Sequence, residues 1–190
     1  MAFATIDVTK GITGTIPVAN GGTGIASGTT GQFLKFTGST TLASAADNGK
    51  IGQFVRAQQT TAVTVSTTTY TAINLSVNIT PSAASSKIII MANIKYSMGL
   101  ATNTDRGFGV RCMRDTTNIG TSATLYDVYH KSTNSDFIDG GRVPFCLFDE
   151  SANTTSQITY SFKVGAWNSN SVVLHADSNW SEIMCWELLA

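Results

Sequence analysis

The sequence predicts an all-β protein: an extended, glycine-rich N-terminal shaft followed by a C-terminal β-sandwich head, jelly-roll-like. Three observations predict it. More than half of the seventeen glycines fall in residues 1–49, where only Asp7, Lys10, Lys35 and Asp47 are charged and no Trp or Tyr occurs. From Ile51 onward, short runs of β-branched and aromatic residues alternate with polar ones and are separated by turn clusters, the pattern of half-buried strands. No segment of ten or more residues combines a helical period with capping residues.

Residues 1–10 carry sparse apolar groups, Phe3, Ile6 and Val8. Such a peptide suits docking into a groove, or adding a strand to a sheet, of another protein. Residues 11–24, Gly-Ile-Thr-Gly-Thr-Ile-Pro-Val-Ala-Asn-Gly-Gly-Thr-Gly, are too glycine-rich for a core and too patterned for a linker. Ile12, Ile16 and Val18 cannot bury enough area within one chain to offset a backbone ordering cost of about 1–2 kcal/mol per residue. Other copies of the chain would have to supply that burial. In Gly28 to Gly38 two turn signals flank a short strand, with Phe33 and Phe36 as its large apolar groups. Residues 43–50, rich in Ala and Ser, read as a neck, giving a docking peptide at 1–10, a shaft and neck at 11–50 and a head at 51–190.

Within the head, Ile73, Leu75, Val77 and Ile79 alternate with Asn74, Ser76, Asn78 and Thr80, one buried face against one wet face. Pro81 to Lys87 is a turn. Ile88 to Ile94 is apolar on both faces and reads as a central strand. Further runs at 107–114, 124–131, 143–148, 157–167, 171–176 and 182–188 complete a sandwich, with Ile158, Tyr160, Phe162 and Val164 on one face.

Composition excludes several functions. Twelve basic and twelve acidic residues balance to zero net charge, without the basic footprint that nucleic acid requires. The longest apolar run, Ile88 to Ala92, is far short of the ~20 residues of a membrane-spanning helix. The N-terminus lacks a secretory pattern, so synthesis in a cytosol is expected. Cys112, Cys146 and Cys185 form neither a disulfide framework nor a zinc spacing, and read as buried small hydrophobes. Neither a metal nor a cofactor is expected.

Candidates for catalysis are few. A glycosidase needs two converging carboxylates, to be drawn from Asp105, Asp115, Asp127, Asp136, Asp139, Asp149, Glu150, Asp177, Glu182 and Glu187, most of them beside Asn, Ser, Thr or Gly as in turns. A serine hydrolase lacks its Gly-x-Ser-x-Gly elbow and has only His130 and His175 as bases. His175, in Val-Val-Leu-His-Ala, reads as a hydrogen-bonded strand residue. The expectation is a non-enzymatic protein that recognises by surface. Trp167, Asn168 and Asn170 join two strands, Tyr129 and His130 close an aromatic and polar cluster, and Trp180 precedes the last strand, all suited to sugar rings or polar protein surfaces. Trp186, in the last strand, reads as core or subunit interface.

The run 11–24 closely resembles an element near the start of many bacteriophage fibre proteins, and Gly31-Gln-Phe-Leu-Lys-Phe36 resembles the segment that commonly follows it, so the likeness spans residues 11–42. More loosely, Asn78 to Ile90, Ile158 to Tyr160 and Ser181 to Leu188 look like the C-terminal domain of short phage fibres. The resemblance implies a homotrimeric virion fibre made in a bacterial cytoplasm. Its N-terminus would sit on another virion protein, its shaft would hold Ile12, Ile16, Val18, Phe33 and Phe36, and its head would contact a host-surface glycan or protein. A purely structural head fibre, capsid decoration or fibre connector is the alternative, and a glycan-cleaving fibre is less favoured.

Overall fold

The structure is a computed structural model and describes residues 22, 23, 25, 28–39, 41–45, 51–100, 104–120, 125, 127–131, 137–175 and 179–189. Phe3, Ile6, Val8, Ile12, Ile16 and Val18 lie outside these residues. The chain divides into two compact units, Met1–Gly49 and Lys50–Ala190.

In the first unit, β1 (Phe33–Phe36) and β2 (Leu42–Ala45) form an antiparallel hairpin with Phe33 opposite Ala45 and Phe36 opposite Leu42. The Thr37 N–H donates to the Thr41 carbonyl across its loop at 2.9 Å. Ala43 to Ala45 are thus a strand where the composition predicts a neck; small side chains pair readily opposite the bulky Phe33, Leu34 and Lys35. Phe33, Leu34 and Phe36 are each more than half exposed. Phe33 and Phe36 are three residues apart and so lie on opposite faces of the ribbon. Among the described residues of its unit no apolar layer closes either face of the hairpin.

The second unit is a sandwich of two sheets in which every pairing among the described residues is antiparallel. Its strands are β3 (Ile51–Gln59), β4 (Val63–Val65), β5 (Thr71–Ile79), β6 (Lys87–Leu100), β7 (Asp105–Arg114), β8 (Thr117–Asn118), β9 (Val128–Lys131), β10 (Phe137–Asp149), β11 (Ile158–Ala166), β12 (Val172–Leu174) and β13 (Ser181–Leu188). The larger sheet is centred on β6. It pairs with β10 along one side, and with β13 then β12 along the other, while β3 flanks β13 and β4 flanks β12. The other sheet runs β5-β11-β7, with β8 and β9 side by side on the far edge of β7. Setting aside the short β4, β8 and β12, the remaining strands order as first-eighth-third-sixth and second-seventh-fourth-fifth, the jelly-roll arrangement.

Alternation explains the core. Ile88, Ile90 and Ile94 of β6 and Ile183 and Cys185 of β13 face Ile73, Leu75, Tyr160, Phe162 and Val164 of the opposite sheet, all essentially inaccessible. Phe145 of β10 meets Phe162 edge-on at 4.9 Å. β10 runs six residues earlier than the sequence predicts, through Gly140 and Gly141 and past Pro144. It is an edge strand, where a residue without an N–H is tolerated.

Cys112 and Cys185 are buried as expected, and burial pushes their thiols up to about 12. Cys146 is not: it is exposed, because β10 turns its even-numbered positions outward.

A buried carboxylate at the rim of the core is fully hydrogen-bonded. The Asp149 carboxylate accepts from Arg114 Nη1 through both oxygens at 3.0 Å, from the Tyr160 hydroxyl at 2.7 Å and from the Ser151 N–H at 3.0 Å. Burial, and then this hydrogen bond, raise the Tyr160 pKa. The side chain of Asp149 is 4% exposed, that of Arg114 22%. Removing the cation strands a buried anion, so Arg114→Met is expected to destabilise the head by about 3 kcal/mol, measured by urea unfolding; a change below about 0.5 kcal/mol, the range of ordinary surface substitutions, would show the pair to be dispensable.

Candidate functional site

One end of the head gathers most of the candidate recognition residues. In the β7–β9 ladder Tyr129 lies opposite Gly107 and His130 opposite Arg106. β11 ends beside β7, with Ala166 opposite Phe108, and the chain then makes a single 3₁₀ turn, Trp167–Ser169. Asn168 holds a left-handed backbone (φ 48°), which asparagine tolerates better than most residues. Asn170 Nδ2 donates to the Asp105 carbonyl at 2.9 Å and ties the turn to the start of β7. Tyr129, His130, Trp167, Asn168 and Asn170 are therefore neighbours around the start of β7.

His130 is engaged within the chain. Its Nε2 lies 3.2 Å from Asp139 Oδ2 on β10. Burial, and then a hydrogen bond to Asp139, push the Tyr96 pKa up to about 12. Gly141 makes room for that tyrosine, since a Cβ there would stand 3.1 Å from its hydroxyl oxygen. Beside this group an open groove of about 450 Å³ runs over the larger sheet. Ser97, Gly99 and Leu100 of β6 line it, together with Arg106, Ile138, Ser171 and Val173. Arg106 has the parity of Phe108, Val110 and Cys112, which all face the core, and that parity is the sequence signal that would have found it.

Trp180 stands apart from the end cluster. The Arg142 guanidinium lies over its ring, 4.6 Å from the centroid, and Nη1 donates to the Trp180 carbonyl at 2.8 Å. Arg142 and Ile138 share the outward parity of β10, so this stack and the groove lie on the same face of the sheet. Trp186 also points outward, 5.0 Å from the Phe54 ring.

Most of the described carboxylates that were candidates for catalysis do structural work. Asp115 Oδ1 accepts from the Thr159 N–H at 2.9 Å, and Asp127 accepts from the Val110 N–H. Glu182 pairs with Arg56 at 2.7 Å, and Glu150 lies 3.8 Å from Lys87. Glu187 is buried, yet hydrogen bonds from Gln53 and Ser82 outweigh burial and hold its carboxyl below the usual range. Asp136 and Asp177 lie outside the described residues. No group of three or more His, Cys, Asp or Glu is arranged to hold a metal ion among the described residues.

No protein-family model matches this sequence, and no curated protein matches it. In structure the chain is similar to the VP2 subviral particle of infectious bursal disease virus, at TM-score 0.43 and 10% identity, over 82% of this chain and 42% of that one. It is also similar to the chain in the T13 particle of the same virus, at TM-score 0.38 and 10% identity, over 84% and 40%. The chain spans about two fifths of the length of these structures.

His175 falls just beyond β12 with a left-handed backbone (φ 57°), rather than inside the strand. It is fully buried. Its Nε2–H donates to the Ile73 carbonyl at 2.8 Å, and Nδ1, left as the acceptor, takes the Ser181 hydroxyl at 2.6 Å. Ser181 Oγ in turn accepts the Lys95 N–H at 2.9 Å. The ring thus bridges both sheets as the neutral tautomer, and burial lowers its pKa, opposed only in part by the Ile73 carbonyl. The unfolded chain then binds more protons than the folded one once the pH falls below about 6.5, the ordinary histidine value. Stability contributed by His175 is therefore full above that pH and is lost on acidification. Comparing urea midpoints at pH 7.5 and 5.5 should show a smaller acid loss in His175→Asn, whose new side chain also suits the left-handed backbone; an equal loss in both proteins would assign it elsewhere.

Proposed function

We propose that this protein is a non-catalytic virion surface fibre: a homotrimer seated through residues 1–10 on another virion protein, with its head turned to the host surface. The observation that carries the reading is an apolar sheet face left without cover. Reading across the larger sheet, Phe148, Ile89, Trp186 and Phe54 form one outward row, and Cys146, Met91, Met184 and Arg56 the next. Phe54, Met91 and Phe148 are 50%, 40% and 43% exposed, and no described element of the head covers them. A contiguous apolar patch of this kind marks an interaction surface.

The partner that fits is a second copy of the chain. The charges bordering the rows are already matched within it, Arg56 by Glu182 and Lys87 by Glu150, so an occupant needs to bring no complementary charge. The same need for neighbours follows from the exposed Phe33, Leu34 and Phe36, and from the likeness of residues 11–42 to trimeric phage fibres. Light scattering on the full chain should give three times 20.1 kDa. Cys146 should alkylate slowly in that assembly, and Met91→Asp should give a folded monomer in which it alkylates quickly. A wild-type monomer with a fast Cys146 would overturn the reading.

The reading as a purely structural decoration or connector is favoured by one feature: His130 and the Trp180 ring are both occupied within the chain, by Asp139 and Arg142. Saturable binding of the labelled full chain to susceptible cells supports a host-contacting head, and its absence supports the structural role.

A further inference from the structure

We propose that the groove at the end of the head binds a carboxylate-bearing sugar, with Arg106 as the anchor for the carboxylate. The choice of a saccharide rests on the host-contacting reading above, whereas the anion preference rests on the residues alone. Arg106 is half-buried, and its Nε–H is buried without an acceptor among the described residues. Its guanidinium has no ion pair or side-chain hydrogen bond among them either. The neighbouring acid, Asp139, sits instead beside His130 and Tyr96. An arginine held in a partly dry site with donors unspent favours a planar oxyanion, which can accept two parallel N–H bonds. Two other arginines of the head are matched by carboxylates, Arg56 by Glu182 and Arg114 by Asp149.

The rest of the groove favours a sugar as the body that carries the anion. Ile138 and Val173 offer apolar walls for the C–H face of a pyranose, and Ser97 and Ser171 offer hydroxyls that both donate and accept. Nothing lies within 4 Å of the position a Gly99 side chain would take, so a ring can rest against the backbone there. The volume, about 450 Å³, is within the ~300–1,000 Å³ of ordinary ligand sites. Farther along the same face the Arg142–Trp180 stack offers a second cation and an aromatic surface to an extended acidic chain.

The test titrates the full-length protein with a defined oligogalacturonate and with its fully methyl-esterified, uncharged counterpart, followed by calorimetry. The expected result is saturable binding of the acid, at least tenfold weaker binding of the ester, and at least tenfold weaker binding of the acid by Arg106→Gln. Ser97→Phe, on the outward face where added bulk fills the groove and not the core, should also abolish binding; near-UV circular dichroism checks that both variants keep the native fold. Equal affinity for acid and ester, wild-type affinity in both variants, or no binding of the acid would each overturn the proposal. The two readings fail separately. Cell binding unchanged by Arg106→Gln would overturn this site and leave the host-contacting head in place, while oligosaccharide binding without cell binding would sustain the site and refute that role.

Discussion

The jelly roll depends on one constraint, that β6 is paired along both edges while only one of its faces is buried. Fourteen residues long, it holds β10 on one side and β13 then β12 on the other, so it sets the register of three strands at once. Its even-numbered positions, from Ile88 to Leu100, supply the core; its odd-numbered ones, from Lys87 to Gly99, supply an outer surface. A slip of one residue would exchange those sets, which makes the pairing strongly specified. The buried polar groups follow from the same geometry. Asp149 and Glu187 lie close to the Ile88 end of β6, while Ser181 accepts the Lys95 N–H farther along; Asp149 is matched by Arg114 and Tyr160 of the facing sheet, and Glu187 by Gln53 of its own sheet and Ser82 of the turn before β6.

Much of the head was legible because period-two alternation reports burial directly. Ile73 to Ile79 and Ile158 to Val164 bury the face their spacing predicts. The two apolar faces of Ile88 to Ile94 identify a central strand, but no described element of the head covers the outer face, since alternation cannot tell a second layer of the same molecule from one supplied by another. β10 was under-read because glycine pairs and proline ordinarily break strands, and only its edge position relaxes that rule. Cys146 was misplaced for the same reason: its residue type favours burial, while its parity on an unexpectedly long strand decides against it.

The grouping of the candidate residues at one end of the head was legible in part. Loop aromatics and amides pointed to Trp167 to Asn170 and to Tyr129 and His130, and long-range pairing brings these segments together around β7. What local pattern could not supply was who satisfies whom. His130 and Asp139 belong to consecutive strands in opposite sheets, and local pattern does not show that their side chains meet. The same meeting sets Asp139 beside His130 and leaves the Arg106 Nε–H without an acceptor among the described residues, so the electrostatic character of the groove belongs to the topology rather than to any motif.

Pro144 has a consequence at the scale of many molecules. Among the described residues β10 is an open edge of the larger sheet, and an open edge is a template onto which another strand can add. At Pro144 that edge has no N–H to offer, and at Gly140 and Gly141 it has no side chain to stiffen a new ladder. Where copies are concentrated side by side, this edge therefore disfavours edge-to-edge growth, which has no natural end.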